Sequence, residues 1–126
     1  MVTSEVSQLS GECNAWRESL RKYRDEFTRF NEKLLDVSRQ QTDKDTLLEI
    51  EHLQNQFHIQ LINIHDLRHQ IKSHDRSMAQ QKAANNGRVP DGILSAHENL
   101  YDEVQQLENL LQEVKDKFSQ FLAQMN

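Results

Sequence analysis

Apolar side chains recur through the first third of the sequence at alternating intervals of three and four residues, from Val6 to Val37 without a break. An α-helix turns once every 3.6 residues, so this spacing places the side chains on one narrow stripe of a helix. Such a stripe is typical of a heptad seam, which is buried when it packs against another helix. The members of this first seam are Val6, Leu9, Cys13, Trp16, Leu20, Tyr23, Phe27, Phe30, Leu34 and Val37.

Two further seams follow with the same spacing. The second consists of Ile50, Leu53, Phe57, Gln60, Ile64, Leu67, Ile71, His74 and Met78. The third consists of Ile93, His97, Leu100, Val104, Leu107, Leu111, Val114, Phe118, Phe121 and Met125. The chain therefore contains three helices that each need a neighbour.

Helix boundaries are indicated by capping and breaking residues. Thr42, with Asp45 three residues later, resembles a capping box that opens the second helix. The stretch 85–92 contains two of the three glycines and the only proline, and it predicts the clearest break. Asp91 is favoured over Ser95 as the start of the third helix, because Ile93 is already in register.

These features predict an all-α fold, an antiparallel three-helix bundle with long coiled-coil-like helices at about 4–39, 43–84 and 91–125. The connections are short, which places consecutive helices antiparallel to each other. We expect one domain over residues 1–126, similar in shape to a spectrin repeat, a likeness of architecture alone.

Composition narrows the classes of function. The net charge is −5, and a nucleic-acid binder would need an excess of Lys and Arg to neutralise phosphates. The first residues lack a signal-peptide pattern, and no apolar run approaches the roughly 20 residues of a membrane span. With one cysteine and no disulfide of its own, the chain is expected to be cytoplasmic.

Loops and catalytic motifs are scarce. Catalytic groups are found mainly on loops held by a scaffold, and this sequence has few loop residues between its helices. No nucleophile elbow, phosphate-binding loop or paired-cysteine motif occurs. The chain is therefore expected to be no enzyme, with no cofactor and no small-molecule substrate.

Three polar residues lie within the seams: Gln60, His74 and His97. One interpretation is a polar core layer that fixes the register of the helices or responds to pH. The other is that seam ends tolerate polar residues, which suits the two histidines, and that Gln60 is a satisfied core amide. Cys13 and Trp16 are interpreted as core residues.

The second helix is unusual because it is apolar on two sides. Outside its seam it carries Ile59 and Ile62, bordered by His58, His65 and His69. A helix with two apolar sides needs two neighbouring surfaces, so these five residues are predicted to bind a protein partner or a second copy of the chain. The alternative is that two isolated surface isoleucines need no explanation.

The same histidines support a second hypothesis. His65 and His69 are one turn apart on one face, a spacing that can chelate a transition metal, and His58 lies on the same side. A metal-binding or metal-responsive bundle that uses His58, His65 and His69 is therefore the alternative function.

The run from Glu51 to Lys72, EHLQNQFHIQLINIHDLRHQIK, resembles a segment of small uncharacterised helical proteins of Bacteroidetes-type bacteria. The resemblance covers about a fifth of the chain. It implies a bacterial cytoplasmic setting, and it implies no activity.

Overall fold

The computed structural model describes residues 2–84 and 89–125, and the side chains of residues 6–83 and 89–125. Three helices, α1 (Val2–Ser38), α2 (Lys44–Ala84) and α3 (Asp91–Met125), contain 94% of the described residues and pack against each other. The predicted all-α three-helix bundle is therefore confirmed. None of the described helices is both long and apolar enough to cross a lipid bilayer.

The three predicted seams form the core. Every residue of the second seam is buried, and the members of the other two are buried or half-buried. One continuous apolar cluster joins all three helices. Periodicity predicts this burial because the 3.6-residue turn fixes which side chains share a face.

An aromatic layer occupies the middle of this core and takes one ring from each helix: Phe27 from α1, Phe57 from α2 and Phe118 from α3. The ring centroids of Phe27 and Phe57 are 5.5 Å apart, and those of Phe57 and Phe118 are 5.1 Å apart. Both pairs meet edge to face, the arrangement that the ring quadrupole favours. Phe30 completes the layer, with its centroid 5.0 Å from that of Phe118.

Helix α2 begins one residue later than its predicted cap implies, and the predicted capping box at Thr42 is wrong. The cap is Asp43, whose carboxylate accepts hydrogen bonds from the Thr46 backbone N–H at 3.0 Å and from its hydroxyl at 2.8 Å. These bonds lower the pKa of Asp43, because they stabilise its charged form. Asp and Thr are both favoured as N-cap residues. Here the carboxylate of Asp43, one residue after Thr42, accepts the hydrogen bond from the free backbone N–H group of the first turn.

The start of α3 agrees with the prediction, since the helix begins at Asp91. The carbonyl of Pro90 accepts hydrogen bonds from the backbone N–H groups of Ile93 and Leu94 at 3.0 and 3.2 Å. Asp91 thus lies in the first turn, where its charge complements the helix dipole. The first half of the predicted break, residues 85–88, lies outside the described residues.

Phe57→Ala is expected to lower the free energy of unfolding by about 3–5 kcal/mol, because it removes a fully buried ring that contacts the other two helices. Urea unfolding followed by circular dichroism would measure the change. The matched control is Gln105→Ala, an exposed position of α3 expected to change stability by less than about 0.5 kcal/mol. A similar loss in both variants would contradict the central role of the aromatic layer.

Candidate functional site

The outer face of α2, defined here as His58, Ile59, Ile62, His65 and His69, points away from the core. Ile59 and Ile62 are each 47% exposed, and the three histidines are exposed as well. The two isoleucines therefore present apolar surface to solvent on the side of α2 opposite to its seam. Whether a partner binds there stays a prediction.

A basic pocket adjoins this outer face. It is lined by Arg17 of α1 and by His65, Arg68, His69 and Lys72 of α2. Its lining residues carry positive charge or can acquire it, on a chain whose net charge is −5. The pocket brings His65 and His69 together, and His58 is not part of its lining.

Arg68 lies close to three arginines of α1, Arg17, Arg21 and Arg24. Its Nε is buried and has no hydrogen-bond partner among the described residues. Burial lowers the pKa of Arg68, and repulsion from Arg24, Arg17 and Arg21 lowers it further. The neighbouring arginines differ, because Arg21 pairs with Glu18, and Arg24 lies 3.3 Å from the carboxylate of Asp25. An anionic group from outside the chain would relieve the excess positive charge at Arg68.

A second polar cluster lies inside the bundle, near the end where α1 and α3 begin. Cys13 of α1, His74 of α2 and His97 of α3 are 0%, 8% and 5% exposed. One ring nitrogen of each imidazole and the sulfur of the thiol lie within 4.8 Å of one another. We call these three residues the Cys-His-His layer; among the described side chains, this is the group that could hold a metal ion.

Hydrogen bonds and ring contacts order the Cys-His-His layer. His74 Nε2 and His97 Nδ1 are 3.0 Å apart, and the other nitrogen of His97, Nε2, lies 3.3 Å from a carboxylate oxygen of Glu12. The indole ring of Trp16 covers the His97 imidazole with a centroid separation of 4.7 Å. The orientation of the His97 ring is thus fixed on three sides.

The electrostatics of this layer favour the neutral forms of Cys13 and His74. Burial raises the pKa of the Cys13 thiol to about 12, and the negative charges of Asp75 and Glu12 act in the same direction. Burial also lowers the pKa of His74, as does a charge on His97, while Asp75 opposes that change. Asp75 itself accepts a hydrogen bond of 2.8 Å from the Ser10 hydroxyl.

Gln60, the third polar seam residue, is separate from this layer. It is buried with 3% exposure, and its side-chain carbonyl accepts a hydrogen bond of 3.1 Å from the Asn63 amide, on the same helix. This contact agrees with a satisfied core amide, and its partner lies on the same helix. A role in register stays a prediction.

The sequence predicted one possible polar layer of Gln60, His74 and His97, and it placed Cys13 in the core without a link to them. The structure brings the two histidines together with Cys13 and leaves Gln60 apart. A heptad pattern shows which side chains face the core, and it does not show which residues of different helices share one height. Aligning the three seams as an antiparallel bundle could have indicated it, because residue 13 is near the start of α1, residue 74 near the end of α2, and residue 97 near the start of α3.

Comparison with known proteins adds no relative: no protein-family model, no curated protein and no solved structure matches the chain. The resemblance of residues 51–72 to Bacteroidetes-type proteins stays a prediction. The function therefore has to be argued from the geometry of the outer face of α2 and the Cys-His-His layer.

The depressed pKa of His74 predicts a pH dependence of stability. Between the lowered pKa of the folded state and the ordinary value of about 6.5, the unfolded chain binds more protons than the folded one. The contribution of His74 is therefore complete above about pH 6.5 and is lost as the pH falls, by at most about 1.4 kcal/mol per pH unit.

Urea unfolding between about pH 7.5 and pH 5, with a chelator present, would measure this slope for the wild type and for His74→Gln. The slope should become shallower in His74→Gln and should be unchanged in His52→Gln, which replaces an exposed histidine of the same helix. Equal slopes in the wild type and His74→Gln would contradict the prediction.

Proposed function

We propose that this chain is a non-enzymatic helical interaction module of the cytoplasm that pairs with a second copy of itself through the outer face of α2. The observation that carries the proposal is the exposure of Ile59 and Ile62 on a helix whose opposite side is already buried. Removing that apolar surface from water favours association by about 25 cal/mol per Å².

The exposed isoleucines lie in the middle of an outward stripe with heptad spacing. Intervals of four and three residues connect its members, which are all exposed: Leu48, His52, Asn55, Ile59, Ile62, Asp66 and His69. The same spacing forms the three seams of the core. A second helix can therefore pack along this stripe as a neighbouring helix does inside the bundle.

Charge favours a second copy in the antiparallel orientation. Residues 44–60 of α2 contain one lysine and three acidic residues, whereas residues 61–84 contain four Lys or Arg and two Asp. The two halves thus have opposite net charge. An antiparallel pair centred between Ile59 and Ile62 places the acidic half of each copy along the basic half of the other, which is complementary electrostatically.

The antiparallel pairing brings a carboxylate of the second copy close to the basic pocket. In the antiparallel register, Glu51 of the second copy falls opposite Gln70, two residues from Lys72, which lines the pocket together with Arg17 and Arg68. Asp45 of the second copy falls opposite Arg76. A carboxylate at the pocket would compensate the charge that the chain's own residues leave on Arg68.

The double change Ile59→Asp, Ile62→Asp is expected to convert a dimer into a monomer. Light scattering over a dilution series should give twice the chain mass of 14.9 kDa for the wild type and a single chain mass for the variant. Two buried isoleucines per copy contribute several kcal/mol, so dissociation should become easier by about 100-fold or more. Circular dichroism should show unchanged helix content, because both side chains are outside the core.

The control for this experiment is Leu110→Asp, which changes an exposed leucine of α3 and should leave the mass unchanged. A wild-type chain that is monomeric at every concentration would refute self-association. An equal loss of dimer in Leu110→Asp would place the contact on another surface.

The antiparallel orientation has its own test, in which the charges of Glu51 and Lys72 are reversed one at a time and then together. Glu51→Lys alone and Lys72→Glu alone each oppose like charges across the proposed contact and should weaken the dimer by about 3–10-fold. The combination of both changes should restore the wild-type dissociation constant within about twofold. Sedimentation equilibrium at low salt would measure the constants, since screening weakens such pairs.

Glu113→Lys on α3 is the matched control, because it changes the net charge equally at an exposed position of another helix. This variant should change the dissociation constant of the dimer only as far as the change in net charge does. A double variant that is as weak as the two single variants would exclude the antiparallel register.

A further inference from the structure

We propose that the Cys-His-His layer is a transition-metal site of the zinc class, in which Cys13, His74 and His97 supply one ligand each from the three helices. This proposal is independent of self-association, because it involves buried groups at one end of the bundle and no residue of the outer face. It also differs from the site predicted at His58, His65 and His69, which are exposed.

The positions of the ligand atoms suit a small ion. Zinc bonds of about 2.0–2.3 Å in a tetrahedron place two ligand atoms roughly 3.4–3.6 Å apart. His74 Nε2 and His97 Nδ1 lie 3.0 Å apart, and all three ligand atoms are within 4.8 Å of one another. Spreading the two imidazoles by about half an ångström and rotating the thiol inward would admit an ion, a movement that side-chain torsions allow without a change of fold.

Glu12 supplies the support that a metal-bound imidazole requires. A histidine that ligates metal through one nitrogen usually donates the N–H of its other nitrogen to a carboxylate or carbonyl oxygen. His97 directs Nδ1 into the layer and has Nε2 at 3.3 Å from Glu12. The orientation of the ring is therefore already that of a ligand, and the Trp16 indole maintains it.

The surrounding charge favours a cation. The carboxylates of Asp75 and Glu12 each act on Cys13 more strongly than the opposing positive charge of Arg17, and Asp75 also acts on His74. Together with a thiolate, they would offset the charge of a divalent ion in an interior that otherwise disfavours charge. One thiolate and two imidazoles suit Zn²⁺ and related ions of intermediate softness, whereas Ca²⁺ and Mg²⁺ prefer oxygen ligands.

The binding of one metal ion releases one proton. The Cys13 S–H bond breaks, its proton passes to the solvent, and the sulfur lone pair forms the bond to the metal. His97 keeps its proton on Nε2 beside Glu12 and binds through Nδ1. His74 gives up its hydrogen bond to His97 and carries its single proton on Nδ1, which frees the Nε2 lone pair for the metal.

Three protein ligands leave a fourth position for water or a small molecule, the arrangement in which zinc remains reactive. A surface pocket beside the layer is lined by Glu12 and His97 together with Leu9, Leu94, Glu98 and Tyr101. His97 borders this pocket although its side chain is only 5% exposed.

The alternative to a metal site is a hydrogen-bonded polar layer that fixes the register of the helices. Both interpretations explain why the three groups are buried, and they differ in what happens when metal is added. A polar layer binds no ion in stoichiometric amount, and a ligand set does.

The experiment titrates the 126-residue chain, stripped with a chelator, with Zn²⁺ by calorimetry and with Co²⁺ by absorption spectroscopy. We expect one ion per chain, release of about one proton per ion at neutral pH, and a thiolate-to-cobalt charge-transfer band. The sequence has a single cysteine, so this band in the wild type identifies Cys13 as a ligand without any substitution. The band therefore decides the question even if Cys13 variants do not fold.

Variants then test the assignment of the ligands. Cys13→Ala should abolish the band and lower the Zn²⁺ affinity by at least about 100-fold, and His97→Ala should weaken binding similarly. Glu12→Gln, a change at a positioning residue, should lower affinity by about 10–100-fold while keeping the charge-transfer band. The matched control is the double change His65→Ala, His69→Ala, which should leave affinity within about twofold.

Two results would overturn the proposal. The first is a wild-type chain that takes up no stoichiometric Zn²⁺. The second is an uptake of metal that gives no charge-transfer band with Co²⁺ and that is lost in the His65→Ala, His69→Ala variant. This result would assign the ion to the outer face of α2 instead.

Discussion

Packing in layers, with one side chain from each helix at each height, is the constraint on which the rest of this structure depends. The aromatic layer of Phe27, Phe57 and Phe118 shows it most directly, because each ring meets its neighbour edge to face at 5.1–5.5 Å. Three large rings can interdigitate at this height in few arrangements. Once they do, the relative positions of the three helices are determined along their whole length.

The Cys-His-His layer follows from that register. Cys13 lies two turns further inside α1 than Val6, and it meets His74 and His97 because the aromatic layer holds α2 and α3 at the corresponding height. Burying two imidazoles and a thiol costs free energy, which hydrogen bonding offsets only when each group has a partner. Here the two imidazoles partner each other, and Glu12 partners the second nitrogen of His97.

Helix α2 differs from its neighbours because it carries apolar side chains in the middle of both of its sides. Its seam, with Phe57 at the centre, contributes to the core, and its outer face exposes Ile59 and Ile62 next to a basic pocket. The opposite net charges of its two halves add a direction to that face. An exposed apolar stripe without such polarity would give attraction with little preference for orientation.

Local periodicity alone determined a large part of this protein. The burial of all three seams and the exposure of Ile59 and Ile62 follow from intervals of three and four residues, which depend only on the turn of one helix. The start of α3 at Asp91 follows from the glycine and proline break before it together with the register of Ile93. The start of α2 was displaced by one residue because Thr42 and Asp43 compete as caps, and spacing does not decide between them.

The tertiary structure decided what periodicity cannot express, which is the height at which residues of different helices meet. It joined Arg17 of α1 to Arg68 and Lys72 of α2 in one basic pocket. It also placed Cys13 next to two buried histidines, whereas the sequence shows Cys13 only as a small apolar member of a seam. The physical reason is that a heptad specifies an angle around one helix axis, whereas a site needs in addition the relative translation of three helices, and only the packing of their side chains determines that translation.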